Sequence, residues 1–236
     1  MPAHDLSERY VQTQTRIASA ASRSGRSPRS VGLVAISKGH PADALRTLSE
    51  FGQRDFGENY LQEALPKMQA LSDLPLTWHF TGQIQGNKTR VIAEHFDWVH
   101  TLDRERIALR LNEQRPPHRS PLNVCIQVKL EDEPGKGGLD PSEVEPVARA
   151  IAQMPQLKLR GLMTLPPPRD SYSEQKVLFD RLAELQRTLQ ARGFETDTLS
   201  MGMSDDLEAA IAAGATLVRI GTAIFGERAR AMPQRI

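Results

Sequence analysis

The chain alternates short apolar segments with longer amphipathic ones, and this alternation limits the possible fold more than any other feature. Eight segments have the pattern of buried strands: residues 31–37, 54–57, 77–81, 97–101, 122–129, 158–163, 197–201 and 216–220. Helical patterns lie between them, over residues 41–51, 59–71, 87–95, 103–114, 141–153, 173–192 and 204–213. The helix at 173–192 carries an apolar stripe of Val177, Leu178, Leu182, Leu185 and Leu189. Strict alternation of strand and helix predicts a parallel sheet.

Eight strand–helix units in roughly 200 residues predict a closed (β/α)8 barrel near the lower size limit of that fold. An open doubly wound sheet is the alternative. A further helix is predicted over residues 5–22, and we expect it to cover the barrel floor. No linker or low-complexity segment interrupts the 236 residues. The prediction is therefore an α/β protein with one barrel domain over residues 1–236.

Charge and composition argue against several classes of partner. The 30 basic and 29 acidic residues leave a net charge of +1, which gives no electrostatic reason to expect nucleic acid or an anionic membrane. No run approaches about 18 apolar residues, and the N-terminus has no apolar segment typical of a secretory signal. The single cysteine, Cys125, lies in a strand pattern and is interpreted as a small core residue. A cytoplasmic location is expected.

Candidate functional residues lie at the carboxyl ends of the predicted strands, where (β/α)8 barrels carry their chemistry. Lys38 follows the first strand and shares a face with Val34 and Ile36. If that face lines the barrel, burial lowers the pKa of the lysine, and a neutral amine is a nucleophile toward aldehydes. A solvated strand tip is the alternative for a lysine taken alone.

The last two strand ends indicate an anion site. Ser204 in LSMGMSDD fits a helix N-cap, and Gly221 and Thr222 follow the eighth strand. Loops after strands seven and eight are the usual phosphate position of this barrel, although Asp205 and Asp206 oppose an anion unless they point outward. Tight turns alone also explain the glycines. A lysine opposite a phosphate cradle predicts pyridoxal 5′-phosphate, which has an aldehyde at one end and a phosphate at the other.

Arg219 ends the eighth strand beside this cradle. An arginine can donate a hydrogen bond to a pyridine nitrogen but cannot accept its proton, so the ring would be a weaker electron sink than one paired with an aspartate. A surface ion pair or a direct phosphate contact is the alternative for Arg219.

Seven stretches together resemble the pyridoxal phosphate homeostasis protein family, also described as YggS-like or PROSC-like proteins. They are VAISK, FGENYLQE, WHFTGQIQGNK, the GKGG segment, GLMTLP, LSMGMSDDLEAAIAAGAT and VRIGTAIFG, between residues 34 and 226. The family is similar to the barrel domain of alanine racemase, without the second, β-rich domain of that enzyme. The resemblance therefore implies a barrel like the N-terminal domain of alanine racemase.

The resemblance also implies roles for individual residues. It implies that Lys38 holds the cofactor as a Schiff base, that Arg219 lies near the pyridine nitrogen, and that Lys136 takes part in cofactor transfer. The other residues that it implies in phosphate binding or in the pocket wall are Asn59, His79, Met163, Ser200, Met201, Ser204, Gly221 and Thr222. The chain departs from the family at Gly39-His40, after the lysine, and at Thr81 in WHFTG.

Three functions fit these residues. The first is a monomeric, non-enzymatic carrier that binds pyridoxal phosphate on Lys38, acts in vitamin B6 homeostasis and supplies apo-enzymes that depend on this cofactor. The second is an amino-acid racemase of low activity, which needs a second acid–base group; of three tyrosines, only Tyr60 lies near a strand end. The third is a barrel that binds a sugar phosphate. His79 and His100 are not accompanied by a carboxylate or cysteine cluster, so no metal is expected.

Overall fold

The strands of the chain pair in one continuous ring. A computed structural model describes residues 3–131 and 137–226. Its strands are β1 Gly32–Ile36, β2 Asp55–Glu58, β3 Thr77–Phe80, β4 Trp98–Leu102, β5 Leu122–Gln127, β6 Leu157–Met163, β7 Thr198–Ser200 and β8 Leu217–Ile220. All neighbours are parallel, and β8 pairs with β1 to close the barrel. The predicted (β/α)8 barrel is confirmed, and the open sheet is excluded.

Helices follow the strands around the outside of the barrel. They are α1 Ala3–Arg23, α2 Ala42–Glu50, α3 Leu61–Ala70, α4 Thr89–His95, α5 Glu105–Gln114, α6 Pro141–Ile151, α7 Tyr172–Ala191, α8 Leu207–Ala212 and α9 Thr222–Phe225. A short 3-10 turn, Gly86–Lys88, precedes α4. Each predicted element is present, with ends that move by a few residues.

The longest barrel helix, α7, shows how the sequence sets both a start and a buried face. The Ser171 hydroxyl accepts a hydrogen bond from the Glu174 amide, which satisfies one of the free N–H groups of the first turn. The buried apolar positions are Leu178, Phe179, Leu182 and Leu189. Val177 is 60% exposed, so its predicted place in the apolar stripe is wrong. Val177 shares a helix face with Arg181 and Glu184 rather than with the leucines.

Helix α1 lies against the outer helices and not across the barrel floor. It packs on α8, α9 and α2, and its buried residues include Leu6, Tyr10, Ile17, Ala20 and Ala21. The prediction that this helix covers the barrel floor is wrong, because the apolar side of α1 packs against the helices that lie next to the β1–β8 pair. This position brings its polar side near the carboxyl ends of the strands.

Cys125 is a core residue, as its position in a strand pattern predicts. Cys125 is fully buried, and burial raises the pKa of its thiol to about 12, so the thiolate that reacts and binds metals is suppressed. Among the helices of the described residues, none has the length and apolar character needed to cross a bilayer.

Candidate functional site

A cavity of about 510 Å³ opens at the carboxyl ends of the strands. Its volume lies within the range of about 300–1,000 Å³ that small-molecule sites occupy. Six of the predicted site residues line it together: Lys38, Asn59, Ser204, Arg219, Gly221 and Thr222. Ile36 also lines it, so Lys38 faces the cavity with the strand residue two positions earlier, as the alternation of β1 predicts.

The turn that carries Lys38 is fixed on both sides of the lysine. Gly39 has φ of +78°, in the left-handed region where residues with a β-carbon are strained. Its N–H donates to the Glu63 carboxylate at 2.6 Å. The ring of His40 then stacks on Phe225, with 4.7 Å between ring centroids. The pair Gly39-His40, where the chain departs from the resembling family, thus joins the lysine turn to helix α9.

A buried ion pair lies beside the same turn. The Lys67 amine donates to Glu58 Oε1 at 2.6 Å and to the Ser37 carbonyl at 2.8 Å. The Ser37 hydroxyl donates to the same carboxylate oxygen at 2.6 Å. Glu58 is fully buried, and its Oε2 has no hydrogen-bond partner among the described residues. Burial raises the pKa of Glu58, which Lys67 and Ser37 oppose by hydrogen bonding to the charged form.

Asn59 enters the cavity wall in a fixed orientation. The hydroxyl of Thr81 donates to Asn59 Oδ1 at 2.8 Å, so the residue that departs from the family holds its neighbour in the wall. Gly82 packs on the Asn59 backbone so closely that a β-carbon there would lie 2.2 Å from the Asn59 carbonyl oxygen. Only glycine permits this approach without movement of Asn59.

Hydroxyl groups and main-chain turns form another part of the cavity wall, around Ser204, Gly221 and Thr222. The prediction that Ser204 is a helix N-cap is wrong. Helix α8 begins after Asp206, and the Ser204 hydroxyl instead accepts from the Ala223 amide at 3.3 Å. Ser204, three residues before α8 begins, therefore joins the loop after β7 to the start of α9.

The acidic residues in this loop have different environments. Asp206 accepts a hydrogen bond from the Met203 amide at 2.5 Å, and burial raises the pKa of its carboxyl group. The Asp206 carboxylate is therefore used within its own loop. Asp205, in contrast, is exposed and lines the cavity. The predicted conflict between these acids and an anion is thus reduced to one solvated carboxylate.

Arg16 of α1 also lines the cavity, and sequence reasoning missed it. Its guanidinium donates to the Ser204 carbonyl at 3.2 Å and to both oxygens of Glu208 at 3.0 and 3.1 Å. No local pattern in α1 marks this residue, because its role follows from the packing of α1 against α8. The guanidinium neutralises Glu208, and its Nη1 takes part in none of these bonds.

Arg219 contributes a buried cation to the cavity wall. Its guanidinium donates to the Ser200 hydroxyl at 2.8 Å and to the Thr164 carbonyl at 2.9 Å. Burial lowers the pKa of Arg219 to about 10, which still leaves it protonated in neutral solution.

Four predicted site residues are buried and do not line the cavity: His79, Met163, Ser200 and Met201. Each has an exposed fraction of 1% or less. Lys136, the predicted transfer residue, lies outside the described residues. His79 and His100 share a hydrogen bond, and no group of three potential metal ligands occurs among residues 3–131 and 137–226.

Comparison with known proteins assigns the chain to a family. It matches the family model described as alanine racemase, N-terminal domain, over residues 15–229. A pyridoxal phosphate homeostasis protein of Pseudomonas aeruginosa is 55% identical over 223 residues, which cover 94% of this chain and 96% of that protein. The protein of that name in Escherichia coli is 49% identical over 228 residues, covering 95% and 97%. The chain belongs to the pyridoxal phosphate homeostasis protein family.

Solved structures agree with this membership. PipY of Synechococcus elongatus, in a structure with PLP (pyridoxal phosphate) bound, has a TM-score of 0.79 and 41% sequence identity, over 89% of this chain and all (100%) of that one. Lysine decarboxylase of Selenomonas ruminantium has a TM-score of 0.70 at 14% identity, over 94% of this chain and 61% of that one. At this low identity, the decarboxylase shows only that the fold is shared.

The pair beside the lysine turn gives a stability prediction with a defined pH dependence. Lys67→Met leaves Glu58 buried without its cation, which we expect to cost about 3–5 kcal/mol of unfolding free energy. The pKa of Glu58 is already raised by burial and rises further in the variant, so the folded protein binds a proton that the unfolded chain releases. The loss of unfolding free energy in Lys67→Met, relative to the wild type, should therefore be larger near pH 8 than near pH 5 when measured by urea unfolding.

Two comparisons control this experiment. Glu58→Gln/Lys67→Met removes the unpaired charge, so its unfolding free energy should lose the pH dependence of the single variant. An equal deficit of Lys67→Met near pH 5 and pH 8 would show that the charge of Glu58 does not determine the effect.

Proposed function

We propose that the cavity binds pyridoxal 5′-phosphate and that the chain acts as a cytoplasmic carrier of this cofactor, without strong catalytic turnover. One observation carries the proposal: Lys38 lines the same cavity as two arginines and the hydroxyl-bearing residues Ser204 and Thr222. Pyridoxal phosphate carries an aldehyde and a phosphate, so its functional groups match the chemistry of these side chains. The name of the relatives and the PLP-bound PipY structure support the same ligand.

The residues present fit the two functional groups of the cofactor. A phosphate requires hydrogen-bond donors and a cation, which Ser204, Thr222 and Arg16 supply in the cavity wall. An aldehyde requires an amine, and Lys38 supplies it. Arg219 lines the wall as a donor that cannot accept a proton, and Asn59 is held in place by Thr81.

When bound, pyridoxal phosphate supplies an aldehyde that forms a Schiff base with a lysine amine. The contribution of the chain is to hold Lys38 at the rim of the barrel, through the Glu58–Lys67 pair and the contacts of Gly39. Arg219 donates without accepting, which limits how far the pyridine nitrogen can draw electrons from a bound amino acid. This property favours storage of the cofactor over catalysis.

The side chains around the cavity also favour a carrier over a racemase. A racemase needs a second acid–base group on the face opposite its lysine. Among the described residues that line the cavity there is no tyrosine or histidine, and the carboxylate is the exposed Asp205. Tyr60 is 55% exposed and lines an adjacent groove, while the Tyr10 hydroxyl donates to Gln53.

All the residues of the proposed site come from one chain, so we infer that a monomer with one barrel domain is sufficient for binding. The cavity opens at the rim rather than inside the barrel, which is consistent with transfer of the cofactor to apo-enzymes that depend on it. The remaining predicted residues, His79, Met163, Ser200 and Met201, are proposed to support the cavity wall.

Lys38→Ala tests the proposed function directly. The wild type should acquire a visible absorbance band on addition of pyridoxal phosphate, because a Schiff base with lysine absorbs at longer wavelength than the free aldehyde. Lys38→Ala should lack this band, whereas Lys158→Ala, a variant of an exposed lysine on β6, should keep it. A band of equal strength in Lys38→Ala, or none in the wild type, would contradict the proposal.

The same preparations separate a carrier from a racemase. Incubation of the loaded wild type with L-alanine, followed by chiral chromatography, should give D-alanine no faster than free pyridoxal phosphate does. Turnover that exceeds this rate and depends on Lys38 would favour the racemase alternative.

Arg16→Met tests the assignment of the phosphate end. The variant loses a partly exposed cation, so its affinity for pyridoxal phosphate should fall by a factor of about two to five. Affinity for pyridoxal, which has the aldehyde but no phosphate, should not change, as measured by titration of the absorbance band.

Glu208→Gln is the matched control, because it removes the charge that Arg16 neutralises. Arg16→Met/Glu208→Gln should recover part of the lost affinity for the phosphorylated ligand. Equal losses for pyridoxal and pyridoxal phosphate in Arg16→Met would place the phosphate elsewhere.

A further inference from the structure

A line of polar side chains crosses the interior of this barrel. Barrels of this class usually fill their interior with branched apolar residues. Here His79 on β3, His100 on β4, Ser200 on β7 and Arg219 on β8 are all buried, with exposed fractions of 4% or less. Since β4 and β7 are not neighbours in the sheet, a bond between His100 and Ser200 must pass through the interior of the barrel.

Four short hydrogen bonds join these residues from the barrel floor to the cavity. Asp55 Oδ1 lies 2.9 Å from His79 Nε2, and His79 Nδ1 lies 2.9 Å from His100 Nε2. His100 Nδ1 lies 2.7 Å from the Ser200 hydroxyl, which lies 2.8 Å from Arg219 Nη1. Asp55 begins β2, and its side chain is 43% exposed, so the line starts at solvent on the amino-terminal side.

The two ends of the line determine the direction of every bond within it. Arginine only donates and an ionised carboxylate only accepts, whereas a neutral imidazole has one donor and one acceptor nitrogen. Ser200 must then accept from Arg219 and donate to His100 Nδ1. His100 must donate from Nε2 to His79, and His79 from Nε2 to Asp55. With both imidazoles neutral, this is the one assignment of protons that satisfies all four bonds.

We propose that Asp55, His79, His100 and Ser200 act as positioning residues, forming one polarised hydrogen-bond relay that orients Arg219 in the wall of the cavity. We call these four residues the barrel relay. The proposed function enters this inference at one point only, which is the identity of the ligand that Arg219 contacts. Its geometry is a property of the protein without ligand.

The need for such a relay follows from the surroundings of Arg219. A buried cation is costly unless it is paired or hydrogen-bonded. The guanidinium donates to a hydroxyl and a carbonyl of the described residues, rather than to a carboxylate. Through the barrel relay, each dipole is oriented toward the negative charge of Asp55, so the cation is stabilised by a distant anion through bonds that polarise one another.

The neighbours of the two imidazoles favour the same arrangement. Trp98 stacks on His79 with 5.5 Å between ring centroids, which restricts rotation of that ring. The pKa of His100 lies well below its usual value, because burial, His79 and Arg219 all disfavour its charged form. His100 is therefore a neutral ring with one proton, as the assignment requires.

The proton positions can be measured directly in the apo-protein. In ¹⁵N-labelled wild type near pH 7, ring-nitrogen chemical shifts and couplings should show both His79 and His100 protonated on Nε2 alone. His79→Gln and His100→Gln assign the signals. Nδ1 protonation of either ring in the wild type would overturn the proposed direction.

Three variants test whether the relay is continuous. Ser200→Ala removes the donor to His100, so this ring should populate both tautomers, and Ser200→Thr should restore the single one by returning the hydroxyl. Asp55→Asn replaces an acceptor-only group by one that also donates, so both rings should show mixed tautomers. Asp73→Asn, which changes an exposed aspartate paired with Arg46, should leave both rings unchanged.

Ligand binding then tests the role of the relay in positioning. Loss of the bond to Arg219 in Ser200→Ala should weaken pyridoxal phosphate binding about tenfold, in line with hydrogen bonds to charged groups, and Ser200→Thr should recover it. Unchanged affinity in a folded Ser200→Ala protein would overturn the positioning role. If the wild type binds no pyridoxal phosphate, the proposed function is wrong, and the relay is not affected by that result. If the His79 and His100 tautomers are unchanged in Ser200→Ala and Asp55→Asn, the relay is wrong, whatever the ligand.

Discussion

The pairing of β1 with β8 is the contact on which the whole site depends. In this register Val34 lies opposite Arg219 and Ala35 opposite Ile220, so the two ends of the barrel sequence meet side by side. Lys38 and the pair Gly221-Thr222 then line one cavity, although they belong to the first and last strand units. An open sheet would separate these groups. The stacking of His40 on Phe225 adds a second contact across the same closure.

Charged side chains around the cavity neutralise one another at two places. Beside the lysine turn, Glu58 and Lys67 neutralise each other as a buried pair. Next to the loop after β7, Arg16 neutralises Glu208, and Asp206 accepts a hydrogen bond from the Met203 amide of that loop. A cavity with these surroundings can receive an anionic ligand without a large excess of positive charge on the protein, which agrees with a net charge of only +1.

Much of the fold could be predicted from the sequence, because strand and helix periodicities are local and each barrel unit repeats them. The barrel rule then located Lys38, Arg219 and the loops after β7 and β8, since it concerns only the ends of strands. Asn59 entered through the resemblance of its motif to a family.

What could not be predicted depended on tertiary contacts. Arg16 reaches the cavity only because α1 packs beside α8, and no pattern within α1 specifies that position. Ser204 has the residue type of an N-cap, yet its hydroxyl bonds across to Ala223. The link between His100 and Ser200 joins strands that are far apart in sequence, so neither residue alone indicates it.

The most direct measurement of the central claim is to locate the cofactor on the chain. Wild-type protein loaded with pyridoxal phosphate is reduced with borohydride, digested and mapped by mass spectrometry. The chain has seven lysines, so the site of attachment is informative. The account predicts a stoichiometric phosphopyridoxyl group on the peptide that contains Lys38. Modification spread over several lysines, or concentrated on a different one, would contradict it.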